Sequence, residues 1–178
     1  PFYERYTPHI EETQLEEWYL KAFDAEQGSI EPFAHSKAFL EYCQQQQIAT
    51  FILSSIHPSH FEKHLNLTGF ESYFRETYVG VHDKRQKIHQ LLETHQLSPD
   101  ETLFIGDMQH DIDTAKHGNT RSCGVLTGFN SLQQLEASQP DLIVEHLGEL
   151  QRLLHRHQGE IPTERVSTLS PEFQMPIS

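Results

Sequence analysis

Leu103-Phe104-Ile105-Gly106-Asp107-Met108-Gln109-His110-Asp111-Ile112-Asp113-Thr114-Ala115 is the stretch whose reading decides the fold of this chain. Thr102 to Ile105 is a short apolar run that reads as a buried parallel strand. Gly106 ends the run, and Asp107 falls at the carboxyl end of the strand, where open α/β sheets bind their ligands. From Asp111 to Lys116 the sequence reads as the start of a helix. Asp107 and Asp111 therefore converge across one turn, and two carboxylates at a strand end attract a hard cation such as Mg2+, which takes oxygen ligands and retains several waters. The simpler reading of Gly-Asp after an apolar run is a turn with a helix cap.

Outward from this stretch the chain alternates strands and helices. Ile48 to Leu53 is β-branched and apolar, a strand ending in Ser54-Ser55. Ahead of it, Ala34 to Gln46 reads as a helix with Ala38, Phe39, Tyr42 and Cys43 on its buried side. Ser59 to Leu67 is a helix ended by Gly69, and Glu76 to Val81 is a short strand. Lys84 opens a helix over Arg85 to His95, with Ile88, Leu91 and Leu92 on one face. Arg121 to Leu126 and Asp141 to Val144 are strands; Ser131 to Ala137 and Leu147 to His157 are helices. Such alternation predicts a parallel sheet flanked by helices, an α/β class. Residues 2 to 26 carry Leu15, Trp18, Tyr19, Ala22 and Phe23 at helical spacing, one or two amphipathic helices broken at Gln27-Gly28-Ser29. From Gln158 the periodicity is lost and three prolines follow, an extended or disordered tail.

The 178 residues fit one domain with a small appendage. A net charge of −13 argues against nucleic-acid partners and against anionic membrane surfaces. No apolar run reaches the length of a membrane span, and the first residues do not read as a secretory signal. Cys43 and Cys123 lie far apart and form no CxxC, so reduced thiols in a cytoplasmic protein are expected. The thirteen histidines include His57, His60 and His64 at a spacing that can hold a transition metal, a weaker reading because no HExxH or cysteine pair accompanies them. No GxGxxG follows a strand and no GxxxxGK[ST] is present.

Three features align along the chain: Ser54 at one strand end, Lys84 at a helix start, and Asp107 with Asp111 after a second strand. A hydroxyl donor, a cation and an acid pair suit an anionic phosphoryl group. Phe51-Ile52-Leu53-Ser54-Ser55, His82-Asp83-Lys84-Arg85-Gln86-Lys87-Ile88 and Ile105-Gly106-Asp107-Met108-Gln109-His110-Asp111 resemble, in order, the second, third and fourth motifs of the haloacid dehalogenase-like (HAD) hydrolases. Gly69-Phe70-Glu71-Ser72-Tyr73-Phe74, Leu126-Thr127-Gly128-Phe129 and Pro140-Asp141-Leu142-Ile143 resemble flanking phrases of the same family. The likeness runs from about Pro32 to Leu154 and is greatest to the phosphoglycolate-phosphatase-like branch.

The resemblance implies a Rossmannoid core over residues 30–157, a partial helical cap over 1–29 and a tail over 158–178. It implies Mg2+-dependent hydrolysis of a small phosphomonoester through an aspartyl-phosphate. Ser54, with Ser55 as the other candidate, would hydrogen-bond the phosphoryl group. Lys84, with Lys87 as its competitor one turn on, would neutralise it. Asp107 would ligate Mg2+, and Asp111 would ligate through water or orient Lys84. Asp113 fits a first-turn acid favoured by the helix dipole, and His110 a bystander.

One departure stands out. The family's first motif, DxDGT, holds the nucleophile and the general acid/base, and it does not occur in this sequence. Asp24, in Phe23-Asp24-Ala25-Glu26-Gln27-Gly28-Ser29, has only a faint likeness to it. The expectation is that the nucleophile lies in an N-terminal segment outside this sequence. The alternative is a degenerate member that binds a phosphorylated ligand or a partner without turnover. In the family the missing strand lies between those ending at Ser54 and Asp107, so its absence would leave the sheet without its middle and expose two edges.

Overall fold

The computed structural model describes residues 9–26 and 31–160. The chain divides into two compact units, Pro1–Pro32 and Phe33–Ser178. In the first, helix α1 spans Glu12–Glu26, and Trp18 and Tyr19 on it are exposed. The expected break at Gln27-Gly28-Ser29 and the tail beyond residue 160 lie outside the described residues.

The second unit alternates as the sequence predicts. Its order is α2 (Ser36–Gln45), β1 (Phe51–Leu53), α3 (Pro58–Thr68), β2 (Glu76–Tyr78), α4 (Lys84–His95), β3 (Leu103–Gly106), α5 (Gln109–His117), β4 (Arg121–Val125), α6 (Leu132–Ala137), β5 (Leu142–Val144) and α7 (Leu147–Arg156). Short 3-10 turns at Glu71–Tyr73 and Pro99–Glu101 precede β2 and β3. Helix α5 begins at Gln109 rather than at Asp111, two residues earlier, where the Asp111 carboxylate reaches back to the Met108 N–H and caps the start. Ala38 is exposed, while Phe39, Leu40, Tyr42 and Cys43 are buried. No described helix is long and apolar enough to cross a membrane.

All strand pairs are parallel, but the strands form two sheets rather than one, β1–β2 and β3–β4–β5. In a parallel ladder, alternate residues bond to opposite neighbours. Thr50 C=O accepts from Arg75 N–H and Ser54 N–H donates to Tyr78 C=O, so Thr50, Ile52 and Ser54 face β2. Phe51 and Leu53 face the other edge. Likewise Thr102 C=O accepts from Arg121 N–H, which turns Leu103 and Ile105 away from β4. Among the described residues no strand pairs with either of these edges.

Helices cover both faces of β3–β4–β5. Cys123 and Val125 of β4 join Leu142 and Val144 of β5 in one apolar cluster with Phe39, Tyr42 and Cys43 of α2 and Leu150, Leu153 and Leu154 of α7. Gly124, on the opposite face by alternation, meets Leu135 of α6. Helix α5 packs on β3 and β4 and against α4. Asp141 ties the amino ends of β4 and β5 together, accepting from the Ser122 N–H and hydroxyl and from the Arg121 guanidinium.

Candidate active site

Each strand delivers its chemistry at its carboxyl end. After β1, Ser54 is part-buried and fixed through its backbone to β2 and to Val81 N–H (3.0 Å). Its Oγ accepts from Ile56 N–H at 3.2 Å, which leaves the hydroxyl proton to be donated elsewhere. Ser55 is exposed.

Lys84 is the first residue of α4, behind the N-cap Asp83, whose carboxylate accepts from Arg85 N–H. The Arg85 guanidinium on Asp83 holds that carboxyl below its usual range. The Lys84 side chain is 11% exposed and its Nζ lies 2.6 Å from Asp111 Oδ1, itself on a side chain 5% exposed. Asp111 Oδ2 accepts from Met108 N–H at 3.1 Å. Both Asp111 oxygens are thus engaged, one anchoring the lysine and one tying down the start of α5. The His110 imidazole, half-exposed, stands 3.9 Å from Asp111 Oδ1. Lys87 turns elsewhere: its Nζ bonds Gln90 Oε1 and sits over the Tyr78 ring.

Asp107 is held by the loop after β4, to which the sequence analysis gave no role at the site. Its Oδ2 accepts from Phe129 N–H at 2.8 Å, and its backbone C=O accepts from Asn130 N–H at 3.1 Å. Asn130 Oδ1 in turn accepts from Gln109 N–H at 2.8 Å. A Cβ at Gly128 would lie 2.1 Å from Asp107 Oδ2, and one at Gly106 would lie 2.2 Å from the Asp111 Cβ. Only glycine fits these two places, because each backbone closes directly on a carboxylate side chain. The signal for this loop was positional: it follows β4, the neighbour of β3, at the same end of a parallel sheet. Asn130 itself carried no motif.

Asp107 Oδ1 has no hydrogen-bond partner among the described residues. A carboxylate with one oxygen bound to a backbone N–H and the other open suits Mg2+, which is commonly held by one or two carboxylates with waters and substrate oxygens making up the rest. No group of three or more His, Cys, Asp or Glu that could hold a metal ion occurs among the described residues. That removes the histidine reading. His57 caps α3, accepting from Ser59 N–H through Nδ1, and His60 is buried in an edge contact with it.

Comparison with known proteins agrees with this layout. The family described as haloacid dehalogenase-like hydrolase matches residues 2–125, more than half of the chain. A phosphoglycolate phosphatase of Vibrio vulnificus is 32% identical over 87 residues, which cover 46% of this chain and 38% of that protein. The phosphoglycolate phosphatase of Photobacterium profundum is 31% identical over 124 residues, 66% of this chain and 54% of that protein. The match thus spans between about two-fifths and a little over half of these relatives' length. A solved structure of a predicted phosphatase from Clostridium acetobutylicum superposes with a TM-score of 0.76 at 21% identity, over 86% of this chain and 75% of that one, a likeness of fold.

Proposed function

The chain belongs to the haloacid dehalogenase-like hydrolase family, and from that premise we propose that it forms the greater part of a Mg2+-dependent phosphatase acting on a small phosphomonoester. The observation that carries the reading is the buried Lys84–Asp111 pair at 2.6 Å, at the same end of the fold as the Asp107 carboxylate. A lysine fixed in a site largely cleared of water is a strong anchor for phosphoryl oxygens. Ser54 supplies a neutral hydroxyl donor, and Asp111 keeps Lys84 in place. When bound, Mg2+ would be held by Asp107 Oδ1 and would offset charge on the phosphoryl group.

The nucleophile belongs on a strand lying between β1 and β3, in a segment outside these 178 residues. An aspartate at its carboxyl end would attack the phosphorus and form an aspartyl-phosphate, which water then hydrolyses. The edges of β1 and β3, which no strand pairs with among the described residues, support this reading. The relatives' names favour a small substrate such as phosphoglycolate, helix α1 would be part of a helical cap, and the buried thiols of Cys43 and Cys123 suit the cytoplasm.

The test is phosphate release from a chromogenic ester and from phosphoglycolate, with and without Mg2+. It compares the 178-residue chain with a form extended upstream to include a DxDGT strand. Activity only in the extended form, lost in Asp107→Asn, is expected. Activity that survives Asp107→Asn sinks the metal assignment. Turnover by the 178 residues alone would move the nucleophile to a residue within them, Asp24 first. The second reading, a member that binds phosphate without turnover, is favoured by the missing first motif; silence in both forms with retained phosphate binding would establish it.

A further inference from the structure

We propose that Asn130 is a positioning residue that sets Asp107 for a divalent cation, an inference that rests on the reading of Asp107 given above. Asn130 grips the chain on both sides of Met108. Its N–H donates to Asp107 C=O at 3.1 Å, and its Oδ1 accepts from Gln109 N–H at 2.8 Å. One residue from the loop after β4 therefore fixes the path of Asp107, Met108 and Gln109, as a rung of a ladder would.

The side-chain half of this grip has a local cause. Helix α5 begins with Met108 as its N-cap, and Met108 makes no side-chain cap hydrogen bond. The first helical N–H groups need acceptors. Asp111 takes that of Met108, and Asn130, from 21 residues away, takes that of Gln109. The carboxamide thus does the work of a cap from outside the helix. It also keeps Phe129 N–H aimed at Asp107 Oδ2, because Phe129 precedes it in the same tight loop. With Oδ2 fixed, Oδ1 presents one direction to a cation. A displacement of about 1 Å at such a ligand is enough to weaken a site.

The experiment is Mn2+ titration of the full chain, followed by the electron paramagnetic resonance signal of free Mn2+, which reads binding without turnover. Wild type and Asp107→Asn come first, and binding by wild type that Asp107→Asn abolishes is expected. If wild type binds no Mn2+, or Asp107→Asn binds as wild type does, the reading of Asp107 falls and this inference with it. Given that binding, Asn130→Ala, which keeps the backbone N–H and deletes Oδ1, should raise the dissociation constant roughly tenfold or more. Asn130→Asp restores an acceptor at the same place and should bind at least as well as wild type. Ser131→Ala removes the neighbouring cap of α6, a bond from Gln134 N–H to Ser131 Oγ, and should stay within about twofold of wild type, since that bond does not touch residues 107–109. Wild-type affinity in Asn130→Ala, or an equal loss in Ser131→Ala, overturns the proposal while leaving the Asp107 reading intact. If Asn130→Ala does not fold, Asn130→Ser, too short to reach Gln109, carries the same expectation.

Discussion

The two halves of the core unit are built from similar sequences and end in different states. In β4 and β5, Cys123, Val125, Leu142 and Val144 are buried beneath α2 and α7. In β1 and β3, Phe51 to Leu53 and Leu103 to Ile105 are at least as apolar, yet every one of these residues is only partly buried. A parallel sheet normally buries its central strands most deeply, because helices cover both faces. Here the strands that carry Ser54 and Asp107 hold no fully buried residue, unlike β4 and β5. Among the described residues, partial burial and strand edges without a pairing strand fall in the same half, the one that carries Ser54 and Asp107.

The largest expected effect lies where that half is nevertheless tightly built. Lys84→Ala leaves the Asp111 carboxylate buried without its cation, and breaking such a pair costs about 3–5 kcal/mol. In the active form it should also lower turnover by roughly 10²–10³-fold, as loss of a charged donor to the reacting group does. Denaturant unfolding of Lys84→Ala, Asp111→Ala and the double variant checks the first figure. A double variant as unstable as the sum of the two would show the pair to be uncoupled, and the anchor role of Asp111 would go with it. If Lys87→Ala stops turnover and Lys84→Ala does not, the phosphoryl contact is misplaced by one helical turn.

Next in size is a direct comparison of cores. Leu150→Ala, in the other half, should cost about 2–5 kcal/mol, the range for a fully buried leucine. Ile52→Ala in β1 should cost roughly half as much, since less apolar surface leaves water there. Equal losses would mean that β1 is as well packed as the α7 side of the core, and the contrast between the two halves would fail. Hydrogen exchange sharpens the same point. The amides of Phe51, Leu53, Leu103 and Ile105 face the open edges and should exchange faster than those of Ser54 and Val125. A form extended upstream to include the proposed DxDGT strand should slow the first set and leave the second unchanged.

Much of this was legible in the sequence for a physical reason. Parallel strands are short apolar runs, and the runs at residues 51–53, 103–105 and 142–144 stood out from their surroundings. Lys84 and Asp111 were legible as members of a pattern, and the structure adds that both oxygens of Asp111 are taken. Asn130 and Gly128 were not legible. Their roles depend on the loop after β4 meeting the turn after β3, two segments more than twenty residues apart, and no local periodicity encodes that meeting. The split of the sheet was foreseen only through a motif that the chain does not contain. Propensity alone reads β1 and β3 as ordinary interior strands.

The smallest expected effect probes the half of β4 and β5 from within. Cys43 of α2 sits in the cluster over β4 and β5, and burial raises its thiol to about 11 from an ordinary value of 9.0. Burial pushes Cys123 up as well. A raised folded value means that the unfolded chain gives up these protons first as pH rises. Between about pH 9 and 11 the unfolded state therefore binds fewer protons than the folded one, and stability falls as pH rises. Below that window both states hold the protons, and the thiols leave the pH dependence flat. Urea unfolding at pH 8 and at pH 10.5 should show a loss for wild type and a smaller loss for Cys43→Ala. Alkylation by iodoacetamide at pH 8 should be slow for both cysteines in the folded chain and fast in urea, since the thiolate is the nucleophile. Rapid labelling of Cys43 under native conditions would show that the α2 side of the cluster opens readily, and the contrast between the two halves would then lose its firmer side.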